Sequence, residues 1–274
     1  EVGRPSGSGL RVIAPACHDT GSAVAAVPAT APDFCWISSG TWSVVGAEVP
    51  EPVINAQSLT HNFTNEGGTG GSYRFSRNVM GLWLVQECRR QWARSGESYS
   101  YDDLTKMAAE APAFTALISV NDGRFLAPGD MPGRIQAFCR ETGQPVPQSK
   151  GEIIRCALES LAMEYRSVAE GLDEMVGHGL PTLHIFGGGS QNNLLNQFAA
   201  DATRRVVVAG PVEATAIGNV LVQALALNHI GSLAQARALV RTSFEVRTFE
   251  PQESDSWEEA VARYRGLGIG RKLA

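Results

Sequence analysis

The sequence predicts an α/β protein, a mixed β-sheet covered by helices, and three features of its 274 residues carry that expectation. The first third alternates short apolar runs with glycine turns, as strands do. One amphipathic pattern then runs unbroken from about residue 149 to 177. Between 182 and 229, strand and helix patterns follow one another almost without a break, the rhythm of parallel strands joined by crossover helices.

Taken in order, LRVIAP (10–15), FCWISSG (34–40), TWSVVGAEV (41–49), LTHNFTNEGG (59–68) and SYRF (72–75) read as strands. Between the first two, SAVAAV (22–27) suits a short helix. FCWISSG and TWSVVGAEV meet at Gly40-Thr41, which predicts a hairpin with its tip there. From Asn78 to Arg94, Val79, Leu82, Trp83, Val85 and Trp92 form a broad apolar face, and Asn78 is a residue type suited to a helix N-cap. Residues 96–148 are the least regular and read mostly as an excursion, with helices over 101–111 and after Pro132. From Ser149, the residues Ile154, Leu158, Leu161, Tyr165, Val168, Leu172 and Met175 recur at spacings of four and three, so one stripe of a long helix is buried. Gly177-His178-Gly179 supplies its stop. TLHIF (182–186) is a strand, and Leu194, Leu195, Phe198 and Ala202 mark the helix after it. RVVVAG (205–210) is another strand, and residues 213–229 make an alanine-rich helix. Helices near 232–242 and 255–265 flank the short strand EVRTF.

Composition narrows the function. A net charge of -5 argues against nonspecific nucleic-acid binding, and no apolar run approaches the roughly 20 residues of a membrane span. Five cysteines with no C-x-x-C pair point to a reducing cytoplasm, although Cys139 and Cys156 are spaced to meet across a turn. The polar lead EVGRPSGSG has no start methionine and reads as the interior of a longer protein.

Glycine clusters stand at three strand ends: Gly40, Gly67-Gly68 with Gly70-Gly71, and Gly187-Gly188-Gly189. Such turns let a backbone approach a ligand and offer it N–H groups, or they simply turn the chain. The P-loop, dinucleotide, G-x-S-x-G and H-E-x-x-H patterns are absent. Cys17 and His18 are adjacent, and neighbours in an extended segment diverge, which disfavours a thiol nucleophile. Asp19 stands among small residues after an apolar run. Locally, helix cap and catalytic carboxylate are equally good accounts of it.

One resemblance covers residues 10 to 250. HDTGSAV (18–24), SSGTWS (38–43), TNEGG (64–68), YRFSRNVMGLWLVQE (73–87), RFLAPGDMP (124–132), FGGGSQNNLLNQFAADA (186–202) and GPVEATAIGN (210–219) resemble, in form and order, the carboxy-terminal domain of the FGGY carbohydrate kinases. The resemblance implies an actin/hexokinase-like (ribonuclease H-like) fold and ATP-dependent phosphorylation of a ketose. L-Rhamnulose is the leading candidate, with fuculose and xylulose as alternatives; a noncatalytic actin-like nucleotide-binding module is the reading from another class. It further implies Asp19 as the general base and His18, Thr20 and Asn78 as sugar contacts. Gly40, Thr41 and Gln86 would lie on the phosphate side of the nucleotide, and Gly187 and Gly188 at its adenosine, with Mg²⁺ on the phosphates. Each has a structural alternative: Asn78 as a helix cap, Gln86 as a polar face residue, His18 as a hydrogen-bonding neighbour. Family members carry an amino-terminal sugar-binding domain ahead of HDT. Residues 1–274 are therefore expected to be the nucleotide-binding domain alone, inactive without it.

Overall fold

In a computed structural model describing residues 3, 9, 11–16, 18–252 and 255–267, the elements run in the expected alternation. They are α1 (Asp19–Ala25), β1 (Phe34–Ser39), β2 (Trp42–Val49), α2 (Ala56–Thr60), β3 (Thr64–Gly67), β4 (Tyr73–Met80), α3 (Trp83–Arg94), α4 (Tyr101–Glu110) and α5 (Met131–Glu141), then α6 (Lys150–Val176), β5 (Thr182–Phe186), α7 (Asn193–Thr203), β6 (Val206–Ala209), α8 (Ala214–Ala226), α9 (Leu233–Ser243), β7 (Arg247–Phe249) and α10 (Asp255–Gly266). The strands form a single mixed sheet in the order β3-β4-β2-β1-β5-β6-β7. β1, β5 and β6 are parallel to one another, and the remaining pairs are antiparallel.

Alternation along the strands divides the core in two. Cys35, Ile37, Val45, Ala47, Phe75 and Val79 point to the face covered by α6 and its neighbours. Phe34, Trp36, Val44 and Phe186 point to the other, where α1 and α8 pack. The long helix α6 is fixed at both ends by local chemistry. Ser149 and Glu152 form a capping box, and Gly177 takes the left-handed conformation at φ 81°. The predicted stripe is buried from Ile154 to Leu172, and Met175 at its end is partly buried.

Four expectations are corrected. Among the described residues of 10–15, only Val12 pairs, in an isolated bridge with Gly3, so no sheet strand lies there. The first half of LTHNFTNEGG is α2 and the turn after it, because Asn55 and Ser58 close a capping box; only Thr64–Gly67 is strand. Asn78 is no helix cap: β4 pairs with β2 as far as Met80 opposite Trp42, and α3 begins at Trp83. Residues 96–148 are no excursion, since Leu104, Leu117, Ile118, Val120 and Phe125 belong to the larger core. Around residues 114–118, side chains stand in for a neighbouring strand. Phe114 N–H donates to Glu159 Oε2, Leu117 N–H to Gln144 Oε1 and Ile118 N–H to Ser160 Oγ, each at 2.9 Å.

His184 on β5 is 3% exposed, edge-on to Phe34 with ring centroids 5.2 Å apart. Burial first, then the cations of Arg237 and Arg241, holds its pKa down to about 3. The unfolded chain therefore takes up this proton before the folded one, and stability should fall as pH drops from about 6.5 towards 3. One such group gives a slope of up to about 1.4 kcal/mol per pH unit in that window. His184 Nδ1 has no hydrogen-bond partner, so His184→Phe should flatten this acid limb in urea midpoints measured against pH. An unchanged limb would show that other groups produce it.

Candidate functional site

Asp19 stands in the first turn of α1, after His18 in the N-cap position, and His18 makes no side-chain cap. The carboxylate is 72% exposed. Its Oδ1 accepts from Thr20 Oγ1 at 3.3 Å and lies 3.5 Å from His18 Nδ1. Behind it everything is small and buried, from Thr20 through Ala25. That packing brings α1 down onto the sheet and onto α8. At Gly218 of α8, an added Cβ would overlap Ser22 O outright and lie 2.5 Å from Ser22 C. Arg74, buried on β4, supports α1 from the sheet: a Cβ on Gly21 would come within 3.3 Å of Arg74 Nε. Arg74 is paired in turn with Glu66 at 2.6 Å, which ties Glu66 to the sheet.

Asn78 is exposed and projects from β4 on the same face as Arg74, the face that carries α1. Asn78 and α1 are therefore on the same face of the sheet, and no hydrogen bond joins Asp19 to Asn78 among the described residues.

The second part of the site is at the end of the sheet where β1 and β5 finish side by side. Gly40 N–H donates to Trp42 O at 3.0 Å to close the hairpin, and Leu82 and Trp83 N–H groups donate to the Gly40 and Thr41 carbonyls at 3.1 and 2.9 Å. These bonds hold the tip against the start of α3. Thr41 Oγ1 donates to Gln86 Oε1 at 3.1 Å, so the expected phosphate-side pair is in contact. Gly187, at φ 84°, and Gly189 press on Ser39: an added Cβ on Gly187 would sit 2.9 Å from Ser39 O, and one on Gly189 would land on Ser39 Oγ. Gly188 faces open space. Its backbone is therefore the part of this turn left free to meet a ligand.

Register separates the third glycine cluster from the other two. Gly67-Gly68 and Gly70-Gly71 join β3 to β4 at the Tyr73 end, which pairs with Val49, whereas the hairpin tip adjoins the Met80 end. Trp36 and Trp92 are buried in the core, and Trp83 is partly buried against it. Cys35, Cys88, Cys139 and Cys156 are buried free thiols, and Cys17 lies outside the described residues. Sequence reasoning did not assign a site role to Arg74, Gly218, Ser43 or Tyr165, whose contacts to Gly21, Ser22 and one another join distant elements. The only signal for Ser43 was its place in SSGTWS.

Among the described residues, no group of three His, Cys, Asp or Glu could cage a metal, and no helix is long and apolar enough to cross a membrane. The hard oxygens at the hairpin tip, Thr41 Oγ1 and Gln86 Oε1, fit a magnesium ion that keeps most of its ligands as phosphate and water.

An exposed carboxylate on α1 and two glycine turns after β1 and β5 are thus carried by one mixed sheet flanked by helices, an actin/hexokinase-like fold. The family model of the FGGY carbohydrate kinases, C-terminal domain, matches residues 35–227, and the chain belongs to that family. It is 46% identical over 266 residues to a rhamnulokinase of Bacteroides thetaiotaomicron, covering 97% of this chain and 54% of that protein. It is 45% identical to a rhamnulokinase of Halalkalibacterium halodurans, covering 89% and 51%. The chain thus spans about half the length of the curated relatives it matches. In fold, it is similar to xylulose kinase from Rhodospirillum rubrum (TM-score 0.67, 18% identity, 91% of this chain and 49% of that one). It is also similar to glycerol kinase from Plasmodium falciparum with ADP (TM-score 0.63, 15% identity, 93% and 50%).

Proposed function

We propose that this chain is the nucleotide-binding half of an ATP-dependent ketose kinase, acting on L-rhamnulose at its 1-hydroxyl. The observation that carries this reading is an exposed carboxylate, Asp19, held on tightly packed small residues on the sheet face that also bears Asn78. The identity of 46% to a rhamnulokinase supports the choice of sugar over fuculose or xylulose.

In this mechanism, Asp19 takes the proton of the 1-hydroxyl as that oxygen attacks the γ-phosphorus of ATP, the bond from that phosphorus to the β,γ-bridging oxygen breaks, and ADP leaves. Positioned proton transfer contributes typically ~10²–10⁴-fold. His18, Thr20 and Asn78 orient the sugar. Gly40 and Thr41 present the hairpin tip to the phosphates, Gln86 fixes the Thr41 hydroxyl, and the Gly187-Gly188 turn takes the adenosine. Mg²⁺, carried on the phosphates beside Thr41 and Gln86, would neutralise their charge. An amino-terminal domain would complete the sugar pocket and exclude water on closing. The reducing cytoplasm is the compartment that the cysteine pattern favours.

The test compares the chain alone with a chimera carrying the amino-terminal half of the Bacteroides thetaiotaomicron relative ahead of it. ADP release is followed across a panel of ketoses. The chain alone should bind ATP without transfer, and the chimera should turn over L-rhamnulose in preference to the rest. A folded chimera that binds ATP but phosphorylates no ketose would leave the noncatalytic module as the better reading.

A further inference from the structure

The last rung of the β1–β2 hairpin below its tip is a pair of serines. Ser39 and Ser43 stand directly opposite each other and are 2% and 0% exposed. They share the face of Ile37 and Val45, which is the face covered by α6. From α6, the fully buried Tyr165 places its hydroxyl 2.7 Å from Ser43 Oγ. Ser39 Oγ, across the rung from Ser43, has no hydrogen-bond partner. Ser39 is also the residue on which Gly187 and Gly189 press. These three hydroxyls therefore lie where the hairpin and the glycine turn meet.

Packing alone does not call for a hydroxyl at 165. Its stripe neighbours Leu158, Leu161, Val168 and Leu172 are aliphatic, and Phe would fill the space without a polar atom to satisfy. Burial pushes the phenol pKa up to about 12. The group therefore stays protonated, with one O–H to give and lone pairs to accept. Donating to one serine and accepting from the other would couple both strands of the rung to α6.

We propose that Tyr165 is a positioning residue for phosphoryl transfer: through Ser39 and Ser43 it holds Gly40 and Thr41 in register with the Gly187–Gly189 turn as the nucleotide phosphates bind. The proposal rests on the kinase reading above. Small displacements of such a turn are costly, since a misplacement of about 1 Å can lower a rate about a hundredfold.

Tyr165→Phe in the chimera should lower kcat/KM for ATP by about tenfold or more, with the KM for the ketose unchanged. Ser43→Ala should behave alike, and the double variant should cost no more than the worse single, as coupled groups do. Tyr264→Phe is the control. It removes a buried hydroxyl that donates to Glu164 of the same helix at 2.9 Å, and it should lower Tm without touching the ATP parameters. If Tyr165→Phe lowers Tm but leaves kcat and the KM for ATP at the parent values, Tyr165 is structural and the proposal falls while the kinase reading stands. If the parent chimera phosphorylates nothing, ATP binding by the chain alone decides by calorimetry: about a tenfold weaker Kd in Tyr165→Phe sustains the positioning role, and an equal Kd or no binding overturns it. Should Tyr165→Phe not fold, Ser43→Ala, which removes the other end of the same contact, carries the same arms.

Discussion

Asp19→Asn is expected to lower phosphoryl transfer by the chimera at least about a hundredfold, the lower range for a positioned base. ATP affinity and Tm should stay where they are. The amide keeps the shape and loses the ability to take a proton. Little stability is at stake, because the side chain is 72% exposed and its contacts are with His18 and Thr20 alone among the described residues. A carboxylate near a helix N-terminus contributes ~0.3–1 kcal/mol, so a small Tm change would reflect the α1 dipole. A rate within about threefold of the parent, far short of what a general base contributes, would remove Asp19 from the chemistry and leave it as a favourable charge on α1. The measurement is steady-state ADP release at saturating ketose, with Kd for ATP and thermal unfolding alongside.

The second large effect is expected at Gly218→Ala. No side chain fits between α8 and α1 there, because the new Cβ would overlap the Ser22 carbonyl. Alanine gains about 1 kcal/mol of helix propensity over glycine. Overpacking costs typically ~1–3 kcal/mol and more where backbone must move, so the steric cost should win. Thermal unfolding should shift down by several degrees. Activity should fall further than stability does, since relief of the overlap moves the helix that carries Asp19 three residues before Ser22. Gly171→Ala on α6 is the matched control. Its Cβ would meet only Met175 Cε at 3.8 Å, so the same exchange should leave Tm level or raise it. Equal behaviour of the two variants would mean that α1 and α8 are not held at this crossing.

The elements legible from sequence are those whose instructions are local. The α6 stripe, its Ser149-Glu152 box and its Gly177 stop all lie within the helix or one residue outside it. The β5-α7-β6-α8 series and the Gly40-Thr41 tip were equally plain. The continuation of β4 through Asn78 was not, because a helical spacing of apolar residues competes there with pairing to β2, and pairing wins. The segment 114–118 was missed for a related reason: its backbone is satisfied by Glu159, Gln144 and Ser160, all distant in sequence.

The candidate site divides along the same line. The sequence by itself determined the residue types: an acid followed by small residues, a Gly-Thr tip and a triple-glycine turn. It also carried enough motif to indicate a carbohydrate kinase. Tertiary structure decided which of these share a surface. It brought Thr41 to Gln86 and Ser39 to Gly189, and it sent the Gly67-Gly71 turn to the far end of the sheet. It also created the contacts of Tyr165 and Gly218. The physical reason is that periodicity and capping act over a few residues, whereas strand register and helix crossing are settled by burial between segments that lie from tens of residues to nearly two hundred apart.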